Sequence, residues 1–123
     1  MDTKELKDRT KDFACRIIRF VETFSKTRSS DIIGKQLIRS ACYVGANYRS
    51  ACRAQSYTHF ISKIGTVEEE ADESLYWLEI TLKSGLSTEE CITPLIREAN
   101  ELTAIFTATR RTAKSNLKKF KEK

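Results

Sequence analysis

One proline, one histidine, one tryptophan and four glycines leave this 123-residue chain with few of the residues that break helices or build reactive sites. Scarce proline and glycine, beside heavy use of Ala, Leu, Ile, Glu, Lys and Arg, favour an all-α chain. With His59 as the lone histidine, no Ser/His/Asp or Cys/His arrangement can be assembled persuasively. A di-iron bundle needs an E-x-x-H pair from each of two helices, and the residue three before His59 is Ser56. No glycine-rich phosphate loop occurs. The four cysteines, Cys15, Cys42, Cys52 and Cys91, include no closely spaced pair of the zinc-binding kind, so reduced thiols are expected. These absences point away from an enzyme and call for no metal or cofactor. No apolar run approaches the ~18 residues of a membrane span, and the start, MDTKELKDRTKDF, has no apolar signal region. A cytoplasmic location with no membrane partner is the expectation.

What is present is helical periodicity. Asp2 and Glu5 form a capping box ahead of Leu6, Thr10, Phe13, Ile17, Phe20, Val21 and Phe24, one stripe on a helix reaching about Ser25. Polar KTRSS follows, with Ser29 or Ser30 expected to cap a second helix. There Ile33, Leu37, Ala41, Val44, Tyr48 and Ala51 recur by threes and fours, and Gly34, Ala41, Gly45 and Ala46 allow close approach of a neighbour. Ser56 begins a third helix with Phe60, Ile64, Val67, Ala71, Leu75 (or Ser74), Leu78 and Leu82, ending near Ser84 with Gly85 as the left-handed residue. Pro94 is best placed at the first position of the last helix, capped by Thr93, after a turn at Thr88 to Ile92. The spacing predicts one domain over residues 1–123, an antiparallel up-down-up-down four-helix bundle with helices at roughly 3–25, 31–53, 57–84 and 94–119.

Polar residues interrupt the stripes of the central hairpin. Folding the second and third helices back at Arg53 to Ser56 brings Arg39, read as interior, level with Glu70, and Gln36 near Glu73. An Arg39 contact with Glu70 or Glu73, supported by Gln36, is expected to set register more than to add net stability. Asn47 joins this structural cluster as a polar residue on an apolar face. A binding pocket around the same groups is the weaker alternative.

Charge is unevenly spread within the formal net of +5: residues 1–66 and 102–123 are basic, whereas 67–101 are strongly acidic. Arg110, Arg111, Lys114, Lys118, Lys119, Lys121 and Lys123 gather at the end of the last helix. In an antiparallel bundle that end adjoins Arg49 and Arg53. The two groups together suggest a phosphate-binding surface, against the blander reading of solvated lysines complementing a helix dipole. No exposed aromatic platform stands out, so backbone-directed contact is expected.

The residues QLIRSACYVGANYRSACRA, the F-I-x-K at Phe60 and EADESLYWLEI resemble the four-helix-bundle proteins encoded in 23S rRNA intervening sequences. The specific part is Gln36–Leu37, Arg39–Ser40, Gly45–Ala46–Asn47–Tyr48, Glu70, Glu73 and Trp77–Leu78; Arg49–Ser50 departs from the acidic residue often found after Asn-Tyr. The resemblance implies a cytoplasmic bacterial bundle that assembles as a homo-oligomer, typically a pentameric ring. Related bundles are the accessory variability determinants of diversity-generating retroelements, basic pentamers that engage nucleic acid and a reverse transcriptase. The leading expectation is a non-enzymatic oligomer that binds structured RNA or DNA through basic clusters. The alternative is a protein-interaction scaffold, for example for a reverse transcriptase.

Overall fold

The computed structural model describes residues 1–121; Lys123, the last lysine of the basic tail, lies outside them. Asp2 caps α1 (Thr3–Val21), its carboxylate accepting the Glu5 N–H at 2.8 Å. α1 stops short of the expected Ser25. The chain tightens there into three-residue turns, Thr23 N–H to Phe20 O and Phe24 N–H to Val21 O. The apolar spacing carried past the true end because Phe24 still packs edge-on against Phe20, ring centroids 5.2 Å apart.

α2 (Arg28–Cys52) begins earlier than expected, because Thr27 rather than Ser29 or Ser30 is its cap. Thr27 Oγ1 accepts the Ser30 N–H, and Ser30 Oγ accepts the Thr27 N–H in return. A serine at the third helical position thus takes the reciprocal role usually filled by Glu or Gln. α3 (Tyr57–Lys83) is capped by Ser56 as expected. It ends at Gly85, whose φ of +83° lets Leu86 N–H reach Thr81 O and Gly85 N–H reach Leu82 O, each at 3.1 Å.

α4 (Glu89–Lys121) corrects the expected start at Pro94. Thr88 caps it, accepting the Cys91 N–H, and Pro94 lies inside the second turn. The missing proline donor would have served the carbonyl of exposed Glu90, which solvent can reach. In exchange Ile92, which the expected turn would have left outside the helix, is fully buried in line with Leu95, Ala99 and Leu102.

The four helices are all-α and pack in ring order, each against its neighbours in sequence, with α1 and α4 meeting most sparingly. Val21 meets Gly34 at one level and Thr10 meets Gly45 at another, so numbers fall on α2 as they rise on α1. Likewise Gly65 lies against Arg110 and Glu68 against Thr107. Both pairs of helices therefore run in opposite directions. Among the described residues, no helix is long and apolar enough to cross a membrane.

The core contains the expected α2 stripe of Ile33, Leu37, Ala41, Val44, Tyr48 and Ala51. On α3 it takes the Ser74 alternative over Leu75 and departs at two places: Ile61 and Thr81 are buried, whereas Phe60 and Leu82, like Leu75, pack at its margin. Serine and threonine can occupy those places because each hydroxyl reaches a carbonyl of its own helix, Thr81 bonding Trp77 O at 2.7 Å. The Ser74 hydroxyl also donates to Ser40 Oγ at 3.0 Å, and Ser40 donates to Gln36 O at 2.9 Å. This hydroxyl pair, both residues fully buried, lets α2 and α3 approach closely and marks their register.

α1 and α2 depend on glycine for the same closeness. A Cβ added at Gly45 would lie 3.1 Å from Thr10 Oγ1 and 3.3 Å from Thr10 Cβ. Gly45→Val should therefore lower stability by about 1–3 kcal/mol in urea unfolding. Exposed Ala46→Leu, one residue on, should stay within about 0.5 kcal/mol.

Candidate nucleic-acid interface

Arg49 and Arg53 project into solvent at the end of α2. α1 runs beside it and supplies Lys7 and Lys11, one turn apart, to a groove that Arg49 also lines. Its floor is Ala14, Cys42, Gly45 and Ala46, shallow because the helices are close there. Ala46 and Arg49 also border a second depression, which continues to Arg53, Gln55 and His59. His59 is exposed in the first turn of α3, its N–H taken by Ser56 Oγ. On the other side of that turn, Lys114, Lys118 and Lys121 border a hollow with Thr58, Ile61 and Leu117. Basic side chains of α2 and α4 thus flank the first turn of α3, and those of α1 lie across the groove from Arg49. Arg111 and Lys119 are exposed on α4 near them.

Lys7, Lys11 and His59 were not among the residues read from the sequence as a binding set. The signal was available: Lys7 and Lys11 are four apart, on the side of α1 that meets α2 near Gly45.

Arg110 is differently placed from its neighbours. Its Nε donates to Glu68 Oε1 at 2.7 Å, and the Thr107 hydroxyl donates to the other oxygen of the same carboxylate. The Thr107 bond first, and the Arg110 bond with it, hold the Glu68 carboxyl below its usual range. Arg110 therefore fastens α4 to α3. A matching tie closes α1 on α4: Arg9 meets Glu98 in a two-pronged contact at 2.6 and 2.8 Å and reaches Glu101 at 2.6 Å. The Glu98 hydrogen bond raises the Arg9 guanidinium above its ordinary value. Sequence reasoning passed over this tie, although Glu98 and Glu101 share one face of α4.

The polar residues of the central hairpin lie on the outer side of α2 and α3. Arg39 Nη1 is 3.6 Å from Glu73 and 4.0 Å from Glu70. The Arg39 side chain, expected in the interior, is 49% exposed. Its guanidinium sits 4.9 Å from the Tyr43 ring centre, so it is divided between an aromatic face and two carboxylates. Glu70 is more enclosed, and burial, with Glu73 beside it, raises its carboxyl above the ordinary value despite Arg39. Among the described residues, Glu70 Oε2 and Trp77 Nε1 are buried without a hydrogen-bond partner. Gln36 flanks this group, half-buried. Asn47 does not join it: its amide donates to Tyr43 O at 2.9 Å, the preceding turn of its own helix. Tyr48, next to it, is instead core, packed on Phe106 with centroids 5.3 Å apart.

The model of the 23S rRNA-intervening sequence protein family matches residues 3–108. The chain belongs to that family. A crystal structure of a protein of unknown function from the S23 ribosomal protein family of Bacteroides thetaiotaomicron is similar throughout. It shares 29% identity and a TM-score of 0.83, covering 90% of this chain and 99% of its own. No curated protein matches. The matched family region ends before Arg110, so most of the basic end of α4 lies beyond it.

Glu68 and Glu70 should give opposite pH signatures. Glu68 has a lowered folded value, so its stabilisation is present above the ordinary carboxylate range and fades as pH falls through the folded value. Glu68→Gln should cost about 1–2 kcal/mol at pH 7 and progressively less in acid. Glu70 has a raised folded value, so the folded state takes up its proton first on acidification. Glu70→Gln should match or exceed the parent at neutral pH and lose that advantage in acid. Urea unfolding of both variants between pH 7 and pH 3 reads the two signs.

Proposed function

We propose that this protein is a non-enzymatic bundle that binds RNA or DNA through the basic surface around the α2–α3 turn. The observation that carries the reading is the approach of basic groups from three helices to one end. Lys7 and Lys11 face Arg49 across a groove, Arg53 and His59 extend it, and Lys114, Lys118 and Lys121 stand beyond. Sequence separation is large, so this grouping is a product of the fold. Phosphates bound there release counterions, which favours binding most strongly at low salt. The family's connection with intervening sequences of 23S rRNA supports RNA as the biological context.

A homo-oligomer, a pentameric ring by family resemblance, would bring several such ends together and multiply their attraction for a polyanion. The outer face of α2 and α3 supports a protein contact there. Ile32, Tyr43 and Tyr76 are exposed on those two helices, and Glu70 Oε2 and Trp77 Nε1 lack hydrogen-bond partners among the described residues. That face is the feature that favours the scaffold reading, with a second copy or a reverse transcriptase as the occupant. The two readings are compatible, because the faces differ.

The deciding experiment replaces Arg49, Arg53, Lys114 and Lys118 together by Gln and measures RNA and DNA binding across a salt series. Arg110 is left intact, because its loss would loosen α4 from Glu68. Binding should weaken at every salt concentration, and the log–log slope should become shallower by roughly 2–3 units. An unchanged slope would place the interface elsewhere.

A further inference from the structure

We propose that the α4 end of this surface accepts unpaired nucleobases, so that its ligand is single-stranded RNA or DNA rather than continuous duplex. The inference rests on the nucleic-acid reading above and adds the class of strand.

Tyr57 and Phe120, 45% and 77% exposed, are two of the largest apolar side chains on the surface, and Phe120 stands between Lys119 and Lys121 in the chain. With Asn116 and Leu117 they line an apolar recess of about 430 Å³. Leu117 also borders the hollow of Lys114, Lys118 and Lys121. An apolar recess and a cationic hollow therefore share a wall. A single-stranded nucleotide has the matching division: a flat apolar base on one side of the sugar and an anionic phosphate on the other.

Neither aromatic is required by the core. Phe120 comes after Ala113, the last buried residue of α4, and Tyr57 occupies the first position of α3. The Tyr57 ring is braced by Phe60, with centroids 6.0 Å apart and planes 33° from parallel, leaving its outer side open. Aromatic rings beside lysines hold bases by stacking, which is tolerant of sequence. The Asn116 amide adds one donor pair and one acceptor at the recess, matched to a base edge. In a duplex the bases are already stacked on one another, so their faces are withheld from such a recess. The expectation of purely backbone-directed contact, founded on the lack of an exposed aromatic platform, is revised by Tyr57 and Phe120.

The test is fluorescence-anisotropy binding of a labelled oligouridylate of about 20 nucleotides, the same strand with abasic sites, and a duplex of equal length. The protein is compared with Tyr57→Ala, Phe120→Ala and Tyr57→Phe, all folded by circular dichroism. The single strand should bind more tightly than the duplex. Each alanine variant should weaken strand binding roughly tenfold, leaving duplex affinity and the salt slope unchanged. Tyr57→Phe should retain binding, and abasic strands should lose the same factor as the alanine variants. Salt-sensitive binding that ignores both the alanine changes and the abasic sites would overturn the stacking site and leave the backbone reading standing. Dissociation of an oligomer by the alanine variants, seen in light scattering, would assign the recess to a copy of the chain and overturn it too. Absence of any binding at low salt would overturn both readings.

Discussion

The contact between Ser40 and Ser74 governs how the central hairpin is assembled. Two small hydroxyl side chains, fully buried and 3.0 Å apart, occupy places where larger residues would hold α2 and α3 further apart. Each hydroxyl also has a carbonyl of its own helix within reach, so burying the pair leaves no polar group unmet. Once these helices are in register, the Arg53–Ser56 connection is confined to one end. Gly45, close against Thr10, then seats α1 on α2 by the same device of small side chains. The basic groove between Lys7, Lys11 and Arg49 is a direct consequence, because its floor is that close approach.

Charge is sorted by helix face. The acidic run of α3 looks uniform along the chain, yet its members have separate fates. Glu68 points to α4 and is held by Thr107 and Arg110, while Glu70 and Glu73 point to Arg39 on α2. Glu69, Asp72 and Glu79 face solvent. The ion pairs also remove Arg9, Arg39 and Arg110 from the pool of cations open to a polyanion. Near the α2–α3 turn the exposed cations of α1, α2 and α4 outnumber the acids, although Asp2, Glu5, Asp8 and Asp12 of α1 are exposed at the same end. The excess of free cations at that end is what makes an electrostatic interface chemically reasonable.

Two surfaces of different character emerge from the same helices. The turn end is cationic, with exposed aromatic rings at its α4 edge. The outer face of α2 and α3 mixes aromatic rings, carboxylates and a half-exposed guanidinium, with a carboxylate oxygen and an indole N–H that have no hydrogen-bond partner among the described residues. Burying unmatched polar atoms is costly, and such atoms are usually completed by water or by another molecule. The bundle thus presents two chemically distinct surfaces, separated along its length.

Helix content, the order of the four helices and the α2 core stripe were legible in the sequence, because periodic burial and short polar connections are local signals. So was the C-terminal stop of α3, since Gly85 alone among nearby residues tolerates its backbone conformation. Boundaries at Ser25, Ser30 and Pro94 were misplaced for a common reason. Tertiary packing of Phe24 and Ile92, and a reciprocal cap from Ser30, outweighed local rules. Burial of Thr81 in place of Leu82, and the choice of Ser74 over its alternative Leu75, depended on hydroxyls finding carbonyls, which hydrophobicity does not register. Of the candidate site, the sequence by itself determined which residues carry positive charge and that two groups of them meet at one end. Only the tertiary structure decided that Arg110 is tied to Glu68, that Lys7 and Lys11 complete a groove with Arg49, and that Tyr57 stands beside Leu117 and Phe120. Those outcomes depend on the relative rotation of helices, which is set by close packing between residues far apart in the chain.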